Sequence, residues 1–224
     1  MKTHVIVTGA AGVLGQAVTK ALEEAGHKVT GIDRAPDPGT AGTGAYLGNV
    51  DLTDPAAASA AIDEAIGAGG PLGALVNVAG TFRWETIGDG DIATWATMFD
   101  INLRTAVNAV RAALPSLRDG GGSVVSIGAA SAIKAAAGMG AYAASKAGIA
   151  KLTEALAEEE KDNGVRVNAV LPSIIDTPAN RADMASADFA RWVSPAQIAS
   201  VIAFLLSDGA SAITGACIPV TGRV

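Results

Sequence analysis

The chain alternates between short runs of β-branched and aliphatic residues and longer stretches whose apolar positions recur every three or four residues. Residues 4–8 read HVIVT and stop at Gly9, residues 13–25 keep their apolar side chains on one helical face until Gly26, and residues 28–32 return to the strand pattern. A strand, a glycine turn, a helix and a second strand in so short a span form a βαβ unit, because parallel strands need a crossover. Further strand patterns fall at 45–50, 74–78, 123–127, 165–171 and 216–220, separated by helical patterns at 55–67, 91–118, 140–161 and 195–207. Seven strands interleaved with helices predict an α/β fold with a doubly wound, parallel, seven-stranded sheet. No Pro-rich, Ser-rich or charged linker interrupts the alternation, so residues 1–224 read as a single domain. Segments 34–44 and 173–194 lack periodicity. The second follows a strand end, where open α/β sheets bind their ligands, and is the natural lid.

Half of the residues are apolar, enough for a large core without covalent staples. Cys217 is the single cysteine and has no internal partner, which points to a reducing, cytoplasmic setting. No apolar run reaches the roughly 18 residues of a membrane helix. The net charge is −6 and the sixteen Lys and Arg residues are scattered, which argues against nucleic acid or an anionic membrane as partner. A small molecule is the expected ligand. His4 and His27 have no neighbours at metal-ligand spacing, so no metal is expected.

The chemistry concentrates at strand ends. Gly9-Ala-Ala-Gly12-Val13-Leu14-Gly15 follows the first strand and opens the first helix. Such glycines give a tight turn, let a pyrophosphate approach the backbone, and pack the helix on the sheet, with the phosphates at the helix N-terminus. Asp33 ends the second strand and can accept from the ribose hydroxyls of a dinucleotide, which favours NAD(H) over NADP(H). Arg34 beside it can hold a 2′-phosphate, so NADP(H) stays open. Asp51 either accepts from the adenine amino group or simply caps the helix that follows. Tyr142 and Lys146 stand four residues apart, on one helix face. A nearby ammonium favours phenolate, so Lys146 is expected to lower the pKa of Tyr142 from about 10 toward the range of an acid/base catalyst.

Taken together with Asn77-Val-Ala-Gly80, Asn102 in FDINL, Tyr142-Ala-Ala-Ser-Lys146, and Val165 to Pro172 followed by Thr177-Pro178, the chain resembles the short-chain dehydrogenase/reductases over nearly its whole length. The resemblance implies a Rossmann-type sheet, a nicotinamide dinucleotide cofactor, and Tyr142 as general acid/base. It makes Lys146 a ribose ligand and the tuner of that tyrosine, and gives Asn102 a water and a kinked helix in the proton relay. It brings Asn77, Ala79 and Gly80 close to the cofactor, together with Pro172, Ile175 and Thr177. It also implies a homodimer or homotetramer, in keeping with helices 91–118 and 140–161 being apolar on more than one face.

Two departures stand out. The middle glycine of the turn is Gly12, where common members carry theirs at the position of Val13, so backbone contact to the phosphates is expected to shift. Ala129 replaces the catalytic serine, and Ser126 and Ser131 lie near it in sequence. Losing a donor from an oxyanion site lowers turnover of a carbonyl by roughly 100-fold to 1000-fold. A conjugated ring that delocalises the incoming charge suffers less. The chain is similar in this respect to the dihydropteridine reductases, which also have alanine there, a Gly138-Met139 pair before the tyrosine, and a related lid ending at Trp192. Trp84, in AGTFRW, lies near where that branch places an aromatic ring against its substrate. With nine aromatic residues (three Trp, two Tyr, four Phe), the rings of Phe82, Trp84 and Trp192 draw notice, either as platforms for a flat substrate or as ordinary packing. The expected activity is hydride transfer to a planar, pterin-like acceptor, with Trp84, Ala129, Met139 and Trp192 facing the substrate. The alternatives are a reductase of 3-oxoacyl or other small carbonyl compounds, and a dinucleotide-binding sensor or structural subunit without turnover.

Overall fold

The computed structural model describes residues 3–37, 39 and 45–224. The remainder of the aperiodic segment 34–44 lies outside the described residues. In chain order the elements are β1 (His4–Thr8), α1 (Val13–Glu24), β2 (Lys28–Ile32), β3 (Ala45–Leu47), α2 (Pro55–Gly69) and β4 (Leu72–Asn77). They continue with α3 (Ile92–Phe99), α4 (Thr105–Gly120), β5 (Gly122–Ile127), α5 (Gly140–Glu160), β6 (Val165–Pro172), α6 (Pro178–Asp183), α7 (Pro195–Leu206) and β7 (Cys217–Val220). All seven strands join one parallel sheet in the order β3-β2-β1-β4-β5-β6-β7.

The alternation of side chains along β1 sets up the two faces. Val5 and Val7 join α1 and α7 in one core, through Val18 and Leu22 of the first helix and Ile198 and Ile202 of the last. Ile6 points the other way and packs with Ile62 of α2, Leu117 of α4 and Leu156 of α5. Helices therefore cover both faces, as a parallel sheet requires. Strand order reverses between β1 and β4, which opens a crevice at the carboxyl ends of those two strands.

Two expectations are revised. The strand expected at 45–50 stops at Leu47, because Asn49 takes a left-handed conformation (φ 60°) that turns the chain back toward β2. The helix expected at 91–118 is helical throughout but not uniform: residues Asp100–Arg104 form a π-helical turn between α3 and α4. Such a turn inserts one extra residue and shifts the side chains around it, here Asn102.

Candidate active site

The crevice widens into one cleft of about 870 Å³. One end is the glycine turn. Gly9 has φ +67°, and a Cβ on it would lie 2.6 Å from the backbone nitrogen of Ala79, while a Cβ on Gly15 would lie 2.0 Å from the carbonyl oxygen of Gly9. Close packing fixes both glycines, and the left-handed φ of Gly9 adds to it there. Gly12 differs: its φ of −68° suits any residue, and its Cβ would meet only the oxygen of Gly9, at 3.4 Å. The room beside Gly12 faces the cleft, next to the exposed Val13 and the first turn of α1, which no side chain caps. A helix start with free N–H groups and an unfilled approach suits a pyrophosphate.

Asp33 stands at the end of β2, its carboxylate accepting from the N–H of Ala11 (2.9 Å) and of Ala35 (2.9 Å). Both contacts fix its orientation and leave acceptor capacity for ribose hydroxyls. Asp51 accepts from the hydroxyl (2.7 Å) and the N–H (2.9 Å) of Thr53. These bonds, the hydroxyl first, hold its carboxyl below the usual range, and the charge of Arg34 adds to them. Gly9, Gly12, Val13, Leu14, Gly15, Asp33, Arg34, Asp51, Ala79 and Gly80 all line the cleft. These groups fit a nicotinamide dinucleotide lying across the carboxyl ends of β1, β2 and β4.

Tyr142, Lys146, Ile175 and Thr177 line the other end of the same cleft. Lys146 is 4% exposed, and its ammonium donates to the carbonyl oxygen of Ile127 at 2.8 Å. Burial pushes the Lys146 pKa down to about 8. Burial also pushes the Tyr142 phenol up to about 12. The expectation that Lys146 lowers the phenol is thus reversed here: desolvation penalises both charged forms, and the ammonium is turned to a carbonyl. At neutral pH the phenol therefore keeps its proton and the amine, with a pKa of about 8, still carries its charge, so the pair holds a proton to give and a cation near it.

The π-helical turn explains Asn102. Its side chain is buried, with Oδ1 accepting from the N–H of Thr81 (2.7 Å) and Nδ2 donating to the hydroxyl of Ser145 (3.0 Å). The Ser145 hydroxyl in turn donates to the carbonyl of Tyr142 at 2.7 Å. One amide therefore ties the loop after β4 to the helix that carries Tyr142 and Lys146. Gly80 must lack a side chain, since a Cβ would lie 2.8 Å from Asn102 Oδ1 and 3.2 Å from Lys146 Nζ.

Several expected site residues lie elsewhere. Asn77 is buried in the sheet, opposite Ser126 in the β4–β5 register, and donates to its hydroxyl at 3.2 Å, away from the cleft lining. Ser126 is thereby engaged within the sheet. Pro172 is buried as the last residue of β6 and pairs with Val220. Trp192 is 7% exposed and packs at 4.8 Å on Phe189 within the lid, so it presents no open face to a substrate. Ala129 is buried just past β5, outside the lining, and Met139 sits at the N-cap of α5. Trp84 is 60% exposed and covers Gly138 instead of lining the cleft. Phe82 does line it, edge-on to the Tyr142 ring with centroids 5.0 Å apart. Sequence reasoning missed Thr81, Ser145 and the carbonyl of Ile127. Only Ser145 left a trace, as a polar residue on an otherwise apolar helix face.

The lid is built on contacts of its own. Asp176 pairs with Arg181, whose guanidinium lies 4.9 Å from the centre of the Phe189 ring, and Ile175 bridges to Val193. Thr177 caps α6 by accepting from the N–H of Asn180 at 3.2 Å.

A seven-stranded parallel sheet with a glycine-turn cleft and a Tyr–Lys pair defines a dinucleotide-linked oxidoreductase architecture. Residues 9–222 match the sequence model of a family described as "Enoyl-(Acyl carrier protein) reductase". The chain belongs to the short-chain dehydrogenase/reductase family and is an NAD(P)-dependent oxidoreductase of that family. It is 32% identical to an acetoacetyl-CoA reductase of an Acinetobacter species, across 97% of this chain and 95% of that protein. It is also 36% identical to Protein FixR of Bradyrhizobium diazoefficiens, across 97% of this chain and 84% of that protein. Among solved structures, the ligand-free aldohexose dehydrogenase of Thermoplasma acidophilum superposes with a TM-score of 0.90 at 29% identity, covering 99% of this chain and 93% of the other. Among the described residues no helix is long and apolar enough to cross a membrane.

Proposed function

We propose that the protein reduces the carbonyl of a small substrate, or oxidises the corresponding alcohol, with Tyr142 as the acid/base. The observation that carries this reading is the pair itself, a half-buried phenol held protonated and the buried Lys146, both lining the cleft that begins at the glycine turn. A nicotinamide dinucleotide held by the glycine turn, Asp33 and Lys146 would supply or accept the hydride. Tyr142 gives its proton to the carbonyl oxygen as the carbon is reduced, and the ammonium of Lys146 stabilises the phenolate left behind. Asn102 and Ser145 hold the helix that presents both side chains. The 3-oxoacyl class is favoured by the likeness to an acetoacetyl-CoA reductase. Asp33, already oriented by two backbone N–H groups, favours NAD(H), with Arg34 the feature that would admit NADP(H).

One observation favours a second reading, the planar conjugated, pterin-like acceptor. Ala129 brings no hydroxyl, and Ser126 is engaged by Asn77, which leaves Tyr142 without a partner donor from these positions. A homodimer or homotetramer is also supported by the 82% exposure of Ile92 and the 41% exposure of Phe99, and light scattering would read the number of subunits.

The test is loss of reduced-nicotinamide absorbance with NADH and with NADPH, using acetoacetyl-CoA and quinonoid dihydropterin as acceptors. Turnover of acetoacetyl-CoA supports the first reading, and turnover of the dihydropterin alone supports the second. Ala129→Ser separates them again: a carbonyl reductase gains about tenfold or more, whereas a planar-acceptor enzyme does not gain.

A further inference from the structure

Helix α5 carries Tyr142, yet its start is not held the way most helices here are held. Asp54, Asp91, Thr177 and Ser194 cap α2, α3, α6 and α7 through side-chain bonds to the first turn. Met139 makes no such bond at the start of α5. The residues before it, 133–137, are exposed. An uncapped helix start at the end of an exposed loop frays unless something outside it holds it.

The loop after β4 does so. The ring of Trp84 occupies the space over Gly138, where a Cβ would lie 2.1 Å from Trp84 Cε2, and Gly138 has φ +74°. The N–H of Glu85 donates to the carbonyl of Gly138 at 2.8 Å. Trp95 and Ile87 stand 3.4 and 3.8 Å from the Cβ position of Gly140. The loop is itself tied to its neighbours, by the N–H of Thr81 donating to Asn102 and by the guanidinium of Arg83 donating to the hydroxyl of Thr94 in α3 at 3.3 Å, and it is closed on itself by the N–H of Asp91 donating to Glu85 at 2.9 Å. Phe82, in the same loop, meets the Tyr142 ring edge-on.

We propose that Trp84 is a positioning residue: seated on Gly138, it fixes the uncapped first turn of α5 and thereby the ring of Tyr142, and Gly138 supplies both the left-handed turn and the room for the indole. Its effect on turnover rests on Tyr142 acting as the proton donor. The seat itself does not, and can be tested without catalysis.

Hydrogen–deuterium exchange of the peptide spanning 139–146 is compared in the intact protein and in Trp84→Ala, alongside kcat and KM for acetoacetyl-CoA and the dissociation constant for NADH. The expected result is faster exchange at the first turn of α5, including the Ala143 amide that bonds Met139 at 2.7 Å, with the C-terminal half of the helix unchanged. The expected kinetics are a fall in kcat of about tenfold with NADH binding within about twofold. Trp84→Phe restores most of kcat, because a flat ring still covers Gly138. Gly138→Ala displaces the indole and reproduces the Trp84→Ala pattern; if that variant does not fold, the two Trp84 variants decide the matter. Unchanged exchange overturns the proposal. So does an increase in KM alone at constant kcat, which would make Trp84 a substrate contact and not a positioner. If the intact protein does not turn over acetoacetyl-CoA, the carbonyl reading fails and the exchange data alone judge the seat.

Discussion

The two ends of the cleft are built on different principles. At the dinucleotide end, position is fixed by backbone: Gly9 and Gly15 lie within a Cβ radius of neighbouring main chain, and Asp33 is clamped by two N–H groups. At the other end, position is fixed by side chains that link the loop after β4, the π-helical turn and the start of α5: Asn102 to Thr81 and Ser145, Trp84 to Gly138, Phe82 to Tyr142. Backbone-built sites tolerate few substitutions and bind a common ligand. Side-chain-built sites can be respecified one residue at a time, which suits a family that keeps one cofactor and varies its substrates.

That contrast breaks most visibly at the glycines. Gly15→Ala sets a Cβ 2.0 Å from a carbonyl oxygen, and is expected to lower unfolding free energy by about 1–3 kcal/mol as well as to weaken dinucleotide binding. Gly12→Ala meets one atom at 3.4 Å, so denaturant titration should find the fold nearly unchanged while NADH binding weakens by about tenfold. If Gly12→Ala also unfolds the protein, the distinction between a packing glycine and a ligand glycine is wrong.

The pH dependence sharpens the substrate end. Lys146 is cationic below its pKa of about 8 and neutral above it. In the proposed mechanism, reduction needs the phenol of Tyr142, protonated up to about 12, together with that cation. The kcat for reduction should therefore be level below pH 8 and fall as pH rises through it, approaching tenfold per pH unit. A profile flat beyond pH 9 would show that the charge of Lys146 is not used.

The smallest expected effect lies outside the cleft. His4 is buried, its ring nitrogens 3.1 Å from the Gly70 carbonyl and 2.9 Å from the Thr30 hydroxyl, and burial lowers its pKa below the ordinary value of 6.5. Burial lowers that of His27 as well. The unfolded chain then binds more protons than the folded one as pH falls below 6.5, so stability is lost in that direction. A fall in Tm of a few degrees at most between about pH 7 and pH 5, reduced in a His4→Gln variant, is the expected outcome of a thermal scan.

Sequence made the backbone-built end legible because its signals are local: a strand, glycines at fixed offsets, and a carboxylate ending the next strand. The seven strands and both faces of helices followed from periodicity for the same reason. The substrate end was only partly legible. Tyr142 and Lys146 are visible from their spacing, but the direction of their pKa shifts depends on burial, which spacing does not encode. Asn102 was visible as a motif residue, whereas its bond to Thr81 depends on a π-helical turn that leaves no periodic signature. Trp192 has a composition suited to stacking, yet the lid folds it inward onto Phe189. The family resemblance brings Asn77 close to the cofactor together with Ala79 and Gly80, but alternation along β4 turns its side chain toward Ser126.

The central claim is that Tyr142 donates the proton in a hydride transfer within this cleft. Its most direct test is Tyr142→Phe, followed by loss of reduced-nicotinamide absorbance with acetoacetyl-CoA and NADH, with NADH affinity measured on the same preparation. A fall in kcat of about 100-fold to 10,000-fold with NADH affinity unchanged within about twofold is predicted. Unchanged turnover in Tyr142→Phe would contradict the claim, and NADH binding without turnover by the unaltered protein on either acceptor would point to a dinucleotide-binding sensor instead.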